Sequence, residues 1–219
     1  MQGSYNTGKS ALDSTGNFSH EQLATANPHK FSLLLDLDST LISSLSLDSE
    51  TKLVPDKLKS HFVKYKMAPY YDIFERPFLQ EFLDYAFQNF NVSIMTAADK
   101  DYAIFIARNI ILKNKPERKL NYFFYGYHSE VSEKIFDSPK DLRLLWNVFK
   151  VPGITRENTI IVDDNDLVYD ANPQHTIRAP PFELLTENKR IKQSSRYDNW
   201  LLTLPFLLDS KIRVMKSGL

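Results

Sequence analysis

The sequence predicts an α/β fold, a doubly wound parallel sheet with helices on both faces. Two observations carry this. Phe31-Ser-Leu-Leu-Leu-Asp36 is a short apolar run of the kind a strand buried on both faces requires. Further runs of that type, at Asn91–Met95, Tyr122–Tyr125, Thr159–Val162 and Thr176–Arg178, alternate with stretches of helical periodicity.

Taken in order, residues 1–28 read as a flexible N-terminal tail, since three of the six glycines fall within the first 16 residues among Ser, Thr, Asn and Gln. Gly3-Ser-Tyr-Asn-Thr-Gly-Lys-Ser10 matches a P-loop pattern, but only Met1 and Gln2 precede it. No strand feeds the loop, and the match is discounted. Residues 29–219 read as one domain, with no internal repeat or second boundary. After the first strand, residues 43–71 are rich in Ser, Lys and Tyr and break the alternation. They are expected to form a small hairpin or flap above the carboxyl end of that strand, where selectivity usually resides. Tyr65, Tyr70, Tyr71 and Phe74 in this insertion fit either a grip on a proline-containing peptide or a satellite core. From Arg76 to Phe90, apolar residues recur at Phe78, Phe82, Ala86 and Phe90 with Leu79, Leu83 and Phe87 beside them, which is an amphipathic helix. Pro77 suits its first turn. Further helices are expected at Asp99–Leu112, capped by Asp99, at Pro139–Phe149 and at Asn199–Leu208.

Composition narrows the chemistry. The chain has 219 residues and no cysteine, which excludes disulfides, thiolate zinc sites, iron–sulfur clusters and a cysteine nucleophile. Lys plus Arg and Asp plus Glu both number 27, so the net charge is zero and direct nucleic-acid binding is not expected. No apolar run reaches the roughly 18–20 residues of a membrane span, nor does the N-terminus carry a signal-peptide pattern. The expected setting is intracellular, nuclear or cytoplasmic, without membrane association.

Four elements could carry chemistry. Asp36-Leu-Asp38-Ser-Thr40 leaves the end of the first strand, and acids at i and i+2 of an extended segment point the same way. In an open α/β sheet that is toward the ligand crevice. Two acids buried together need a cation or a retained proton. Asp163-Asp164 follows a second apolar strand, and the two acidic strand ends together supply the hard oxygen ligands that Mg2+ prefers. Thr96 ends a third strand, and Lys140 opens the Lys-Asp-Leu stretch. Singly, each has a bland alternative as turn, cap or solvated lysine. The basic run Lys189-Arg190-Ile-Lys192 with Arg196 reads first as a solvated face and second as an attractor for an acidic or phosphorylated partner.

In that order the four elements resemble the haloacid-dehalogenase superfamily, and more narrowly the RNA polymerase II C-terminal-domain (CTD) phosphatases of the NLI-interacting-factor-like branch. Leu33–Leu41, Glu75–Leu83, Met95–Ala98 with Asp101-Tyr-Ala103, Lys140-Asp-Leu142, Ile160–Asp164 and Asp198–Leu207 carry the likeness, which spans roughly residues 31–210. The resemblance implies an essentially capless Rossmann-like fold. It implies Asp36 as nucleophile forming an aspartyl-phosphate and Asp38 as general acid and base. Thr40, Thr96 and Lys140 would bind phosphate. It further implies Mg2+ as cofactor, held by the Asp36 carboxylate, the Asp38 backbone carbonyl and one of Asp163 and Asp164. Family alignment puts Asp164 on the metal and Asp163 beside Lys140, although from sequence the two roles are interchangeable. The long interval from Lys140 to Asp163, stretched by residues 149–158, leaves Lys134 as a rival lysine. The basic residue that the family usually carries is absent around Phe124-Tyr-Gly126.

The expected function is therefore a Mg2+-dependent phosphoserine/phosphothreonine protein phosphatase. Its expected partner is a phosphorylated protein or peptide such as the polymerase tail, met by a monomer. A nucleotide or nucleic-acid-end phosphatase and a non-catalytic phosphopeptide scaffold are the alternatives. Presence of both first-motif aspartates ranks the scaffold last.

Overall fold

The computed structural model describes residues 24–218. The P-loop-like stretch and most of the expected tail lie outside these residues. Residues 24–27, counted in that tail, are bonded to the body: Ala24 N–H donates to Leu120 O at 2.8 Å, and Asn27 and Asn91 exchange hydrogen bonds at 2.9 and 2.8 Å.

Eight strands and six α-helices follow in chain order: β1 (Ser32–Leu35), β2 (Ile42–Ser46), α1 (Asp56–Lys59), β3 (Lys64–Met67), β4 (Tyr71–Glu75), α2 (Leu79–Asn89), β5 (Asn91–Met95), α3 (Lys100–Ile106), β6 (Phe123–Phe124), α4 (Gly126–Phe136), β7 (Thr159–Asp163), α5 (Asp166–Ala171), β8 (Thr176–Arg178) and α6 (Trp200–Ser217). The central sheet is parallel, in the order β6-β5-β1-β7-β8, as the alternation predicts. β1 sits in the middle, in register with β5 and β7 through Leu33↔Val92 and Leu33↔Ile160.

The apolar strand runs follow from burial on both faces. Leu33, Leu35, Val92, Ile94, Ile160 and Val162 pack into one cluster with α2, α3 and α6. Leu34, Met95 and Ile161 face a second cluster with Tyr122, Phe124, Leu142 and Leu145. Each such side chain contributes about 1.5–3 kcal/mol by leaving water. Helix α2 presents Leu79, Phe82, Leu83 and Ala86 to the first cluster at the spacing the sequence predicts.

Three expectations need correction. Residues 43–71 form more than a hairpin: β2, β4 and β3 make a three-stranded antiparallel sheet. Phe74 belongs to the small core beneath it with Leu45, Leu58 and Phe182, whereas Tyr70 and Tyr71 face outward and Tyr65 donates to Glu75 at 2.7 Å. The expected helix over Pro139–Phe149 is reduced to one wide turn at Leu144–Val148, because tertiary bonds hold its first residues. Ser132 Oγ accepts from Asp141 N–H at 2.8 Å, and Asn172 accepts from Leu142 N–H and donates to Lys140 O, each at 2.9 Å. Conversely α6 runs beyond Leu208 to Ser217, since Ile212 and Met215 continue its packing on the first cluster. Helix α4, with only weak apolar periodicity, was not expected.

One buried ion pair ties the outer elements to β1. Arg76, 1% exposed, donates from Nε and Nη2 to both carboxylate oxygens of Asp198 at 3.0 and 2.8 Å, and from Nη1 to Thr40 O at 2.8 Å. Its guanidinium also lies 4.7 Å from the Trp200 ring centre. Removing one partner of such a pair strands the other charge and costs about 3–5 kcal/mol. Arg76→Ala should therefore lower the thermal midpoint by roughly 10 °C, followed by circular dichroism. The paired change Arg76→Met with Asp198→Leu should lose much less.

Candidate active site

Strand β1 delivers Asp36 to the carboxyl edge of the sheet, where Asp36 N–H still bonds Val162 O at 3.1 Å. The chain then turns sharply: Ser39 adopts a left-handed backbone (φ 57°), and the amides of Leu41 and Ile42 return to Leu37 O. This turn sets Asp36 and Asp38 at the crevice and Thr40 behind them. Strand β7 brings Asp163 and Asp164 alongside, and β5 brings Thr96 from the other side.

Lys140 organises these groups. Its buried Nζ lies 2.5 Å from Asp36 Oδ1 and 2.7 Å from Asp163 Oδ2. Burial pulls the lysine pKa down, but Asp36 and Asp163 more than offset this and hold it above its ordinary value. Lys134, the rival lysine, is exposed in the last turn of α4.

Thr40 is fully buried, and its hydroxyl lies 3.0 Å from Asp36 Oδ2 and 3.1 Å from Asp164 Oδ1 while accepting from Asp164 N–H at 3.1 Å. It braces these two acids and is not among the residues that line the cleft described below. Thr96 Oγ accepts from Ala98 N–H at 3.1 Å, which directs its own hydroxyl proton elsewhere. The loop that carries it is packed against Gly126, where a Cβ would meet Ala98 O at 3.0 Å and Ala97 O at 3.1 Å.

The Asp38 carboxylate is turned away from the other three acids. Its Oδ1 accepts from Tyr102 Oη and, at 3.3 Å, from Ser44 Oγ; Tyr102 lies in the Asp101-Tyr-Ala103 stretch, but neither residue was picked out from the sequence as part of the site. Tyr102 in turn meets Tyr71 of the flap edge-on, with ring centres 5.3 Å apart. Burial pushes Asp38 up to about 6, opposed by the Tyr102 hydrogen bond and assisted by the Asp36 charge. Burial and the same Asp36 charge also push Asp163 and Asp164 above the usual carboxylate range. Tyr102 is held protonated by burial and by Asp38.

Asp36, Asp163 and Asp164 each place a carboxylate oxygen within 4.8 Å of the others, a spacing that could hold a metal ion. The donor chemistry fits a hard divalent cation. Three carboxylates stand around one buried ammonium, which reaches Asp36 and Asp163, so a divalent cation bound among them would offset the remaining negative charge. Asp36, Asp38, Thr96, Lys140, Asp163 and Asp164 line one open cleft of about 530 Å³. Its walls also contain Arg178 and Glu187, likewise unmarked by any sequence motif. Among the described residues, no helix is long and apolar enough to cross a membrane.

Residues 31–211 match the model of the NLI interacting factor-like phosphatase family. A CTD phosphatase-like protein of Invertebrate iridescent virus 6 is 38% identical over 181 residues, covering 81% of this chain and 96% of that protein. Its counterpart in Invertebrate iridescent virus 3 is 41% identical over 162 residues, covering 71% and 86%. The chain belongs to the NLI interacting factor-like phosphatase family. Its fold is that of Fcp1, an essential RNA polymerase II CTD phosphatase, with a TM-score of 0.53 at 21% identity over 87% of this chain and 53% of that chain. Fission yeast Fcp1 in a beryllium fluoride complex gives the same score at 20% identity and the same coverage. The chain thus spans about half the length of these Fcp1 chains.

The carboxylate pKa values generate a stability prediction. Asp38 binds its proton more tightly in the folded state (about 6) than in the unfolded chain (about 3.9). The stability this proton contributes is present below about pH 4 and lost as pH rises through 6. In EDTA at pH 7.5, Asp38→Asn should therefore raise the thermal midpoint by a few degrees, and the difference should vanish near pH 3.5.

Proposed function

We propose that this phosphatase hydrolyses phosphoserine or phosphothreonine in an extended peptide by a Mg2+-dependent aspartyl-phosphate route, with an RNA polymerase II tail among the candidate substrates. The observation that carries this reading is the division of labour between two acids two residues apart. Asp36 is clamped by Lys140 and Thr40, whereas Asp38 is held by Tyr102 and Ser44 and pushed up to about 6 by its burial. One environment suits a nucleophile and the other a proton donor.

In the first step an Asp36 carboxylate oxygen forms a bond to phosphorus, and the bond to the serine oxygen breaks. Asp38 gives its proton to that leaving oxygen. In the second step Asp38 takes a proton from water, which attacks the acyl phosphate and releases inorganic phosphate and free Asp36. The Thr96 hydroxyl is free to donate to a phosphoryl oxygen, and Lys140 fixes the Asp36 rotamer while balancing its charge. Mg2+ would be held by Asp36 and Asp164 with the Asp38 carbonyl, and when bound it neutralises charge between the nucleophile and the phosphate. The beryllium fluoride complex of Fcp1 supports the reading, since that ligand mimics a phosphoryl group. The open cleft, with no cap between Thr96 and Lys140, supports a peptide rather than an enclosed metabolite.

Hydrolysis of p-nitrophenyl phosphate and of a phosphoserine peptide should require Mg2+, stop with EDTA, and fall at least about 1000-fold in Asp36→Asn. No turnover by folded, Mg2+-supplemented protein would reject the reading. The general-acid role has its own signature. Tyr102→Phe should lower kcat on the phosphoserine peptide by about 10-fold or more. It should act far less on p-nitrophenyl phosphate, whose leaving group needs no proton. Equal losses on both substrates would show that Tyr102 does not act through the leaving-group proton.

A further inference from the structure

The cleft carries a charge imbalance that the reaction leaves unused. Beyond the four acids already described it is lined by Asp166 and Glu187, and against these carboxylates stand two cations among the described residues, Lys140 and Arg178. Lys140 is buried and committed to Asp36 and Asp163. Arg178 is different. It ends the edge strand β8, its side chain is 55% exposed, and its ion-pair partner Asp166 is 64% exposed. A pair this open adds little to folding and exchanges readily for another anion. Even with a divalent ion bound and Asp38 protonated, the other five carboxylates outweigh Lys140 and Arg178 and leave the cleft negative, so an anionic substrate gains from a cation at its rim.

The position of Arg178 specifies which part of the substrate it meets. It pairs with Asp163 across β7, two strands from β1. At roughly 4.8 Å between strands, its backbone lies about 10 Å from that of Asp36, a distance spanned by about three residues of extended peptide. Next to it, the bridge between Leu185 and Ile191 closes a turn that carries Glu187 of the cleft wall and, at its exposed tip, Lys189 and Arg190. These belong to the basic run picked out in the sequence.

We propose that Arg178, backed by the Lys189–Arg190 turn, forms a subsite for a second anionic group on the substrate, a carboxylate or phosphoryl group two or three residues from the phosphoserine, which displaces Asp166. The planar guanidinium fork accepts either group in the bidentate manner. The proposal rests on the phosphopeptide reading above.

Steady-state kinetics on three phosphoserine peptides test it: one flanked by alanine, one with glutamate at the second and third positions on both sides, and one with a second phosphoserine there. Wild-type kcat/KM should favour an anionic peptide over the alanine peptide by about 10-fold, chiefly through KM. Arg178→Gln should bring that ratio to about 1, Arg178→Lys should keep part of it, and Asp166→Asn should enlarge it. Because the ratio is read within each variant, impaired folding cannot imitate the result. Comparing the glutamate and phosphoserine peptides separates the carboxylate from the phosphoryl source. A wild-type ratio near 1, or an unchanged ratio in Arg178→Gln, overturns the subsite. So does an equal loss on all peptides and on p-nitrophenyl phosphate, which would put Arg178 on the reacting phosphoryl group. Turnover of p-nitrophenyl phosphate with none of any peptide overturns the peptide reading itself, and is visible in the wild type alone.

Discussion

The bridge from Lys140 to Asp36 and Asp163 is the interaction on which the site depends. A parallel sheet gathers its strand ends at one edge, and here β1 and β7 each end in an acid buried to within a few per cent of full exclusion. Two carboxylates in such a place repel each other and lose hydration. A buried ammonium 2.5 and 2.7 Å from them supplies the balancing charge and fixes both rotamers. The chain spends considerable local structure on placing that one ammonium. Ser132, Asn172 and the neighbouring backbone hold residues 138–142 in an irregular path in place of a helix.

Asp36 and Asp38 differ in chemistry because their neighbours differ in kind. Asp36 is held between a cation, Lys140, and a hydroxyl, that of Thr40. Asp38 is held by Tyr102 and Ser44, neutral groups on α3 and β2, and its burial raises its pKa more than their hydrogen bonds lower it, with the Asp36 charge adding to the rise. The antiparallel flap thereby takes part in the site, since Ser44 is one of its residues and Tyr71 packs on Tyr102. Arg76 connects the same region to the closing helix, because its guanidinium grips the Thr40 carbonyl, Asp198 and the Trp200 ring together.

Much of this was legible in the sequence. Strands at Asn91–Met95 and Thr176–Arg178 fall where the apolar runs put them, because a strand buried on both faces admits little else. Asp36, Asp38, Thr96, Lys140, Asp163 and Asp164 line a common cleft. Each was marked by its position at a strand end or within an ordered set of motifs. Helix α4 and the loop at Lys140 were not legible. The loop answers to buried polar contacts with Asn172, 30 and 32 residues further along the chain, which leave no local period.

By itself the sequence determined that a parallel sheet forms and that acids gather at its carboxyl edge, since hydrophobic periodicity and strand-end positions are local properties. Tertiary structure alone decided what surrounds each acid. Thr40 braces two carboxylates, Asp38 faces a tyrosine, Lys140 rather than Lys134 bridges Asp36 and Asp163, and Arg178 arrives at the rim. These outcomes depend on which side chains converge from elements 23 to 124 residues apart, and charge and hydrogen-bond balance are settled only once they meet.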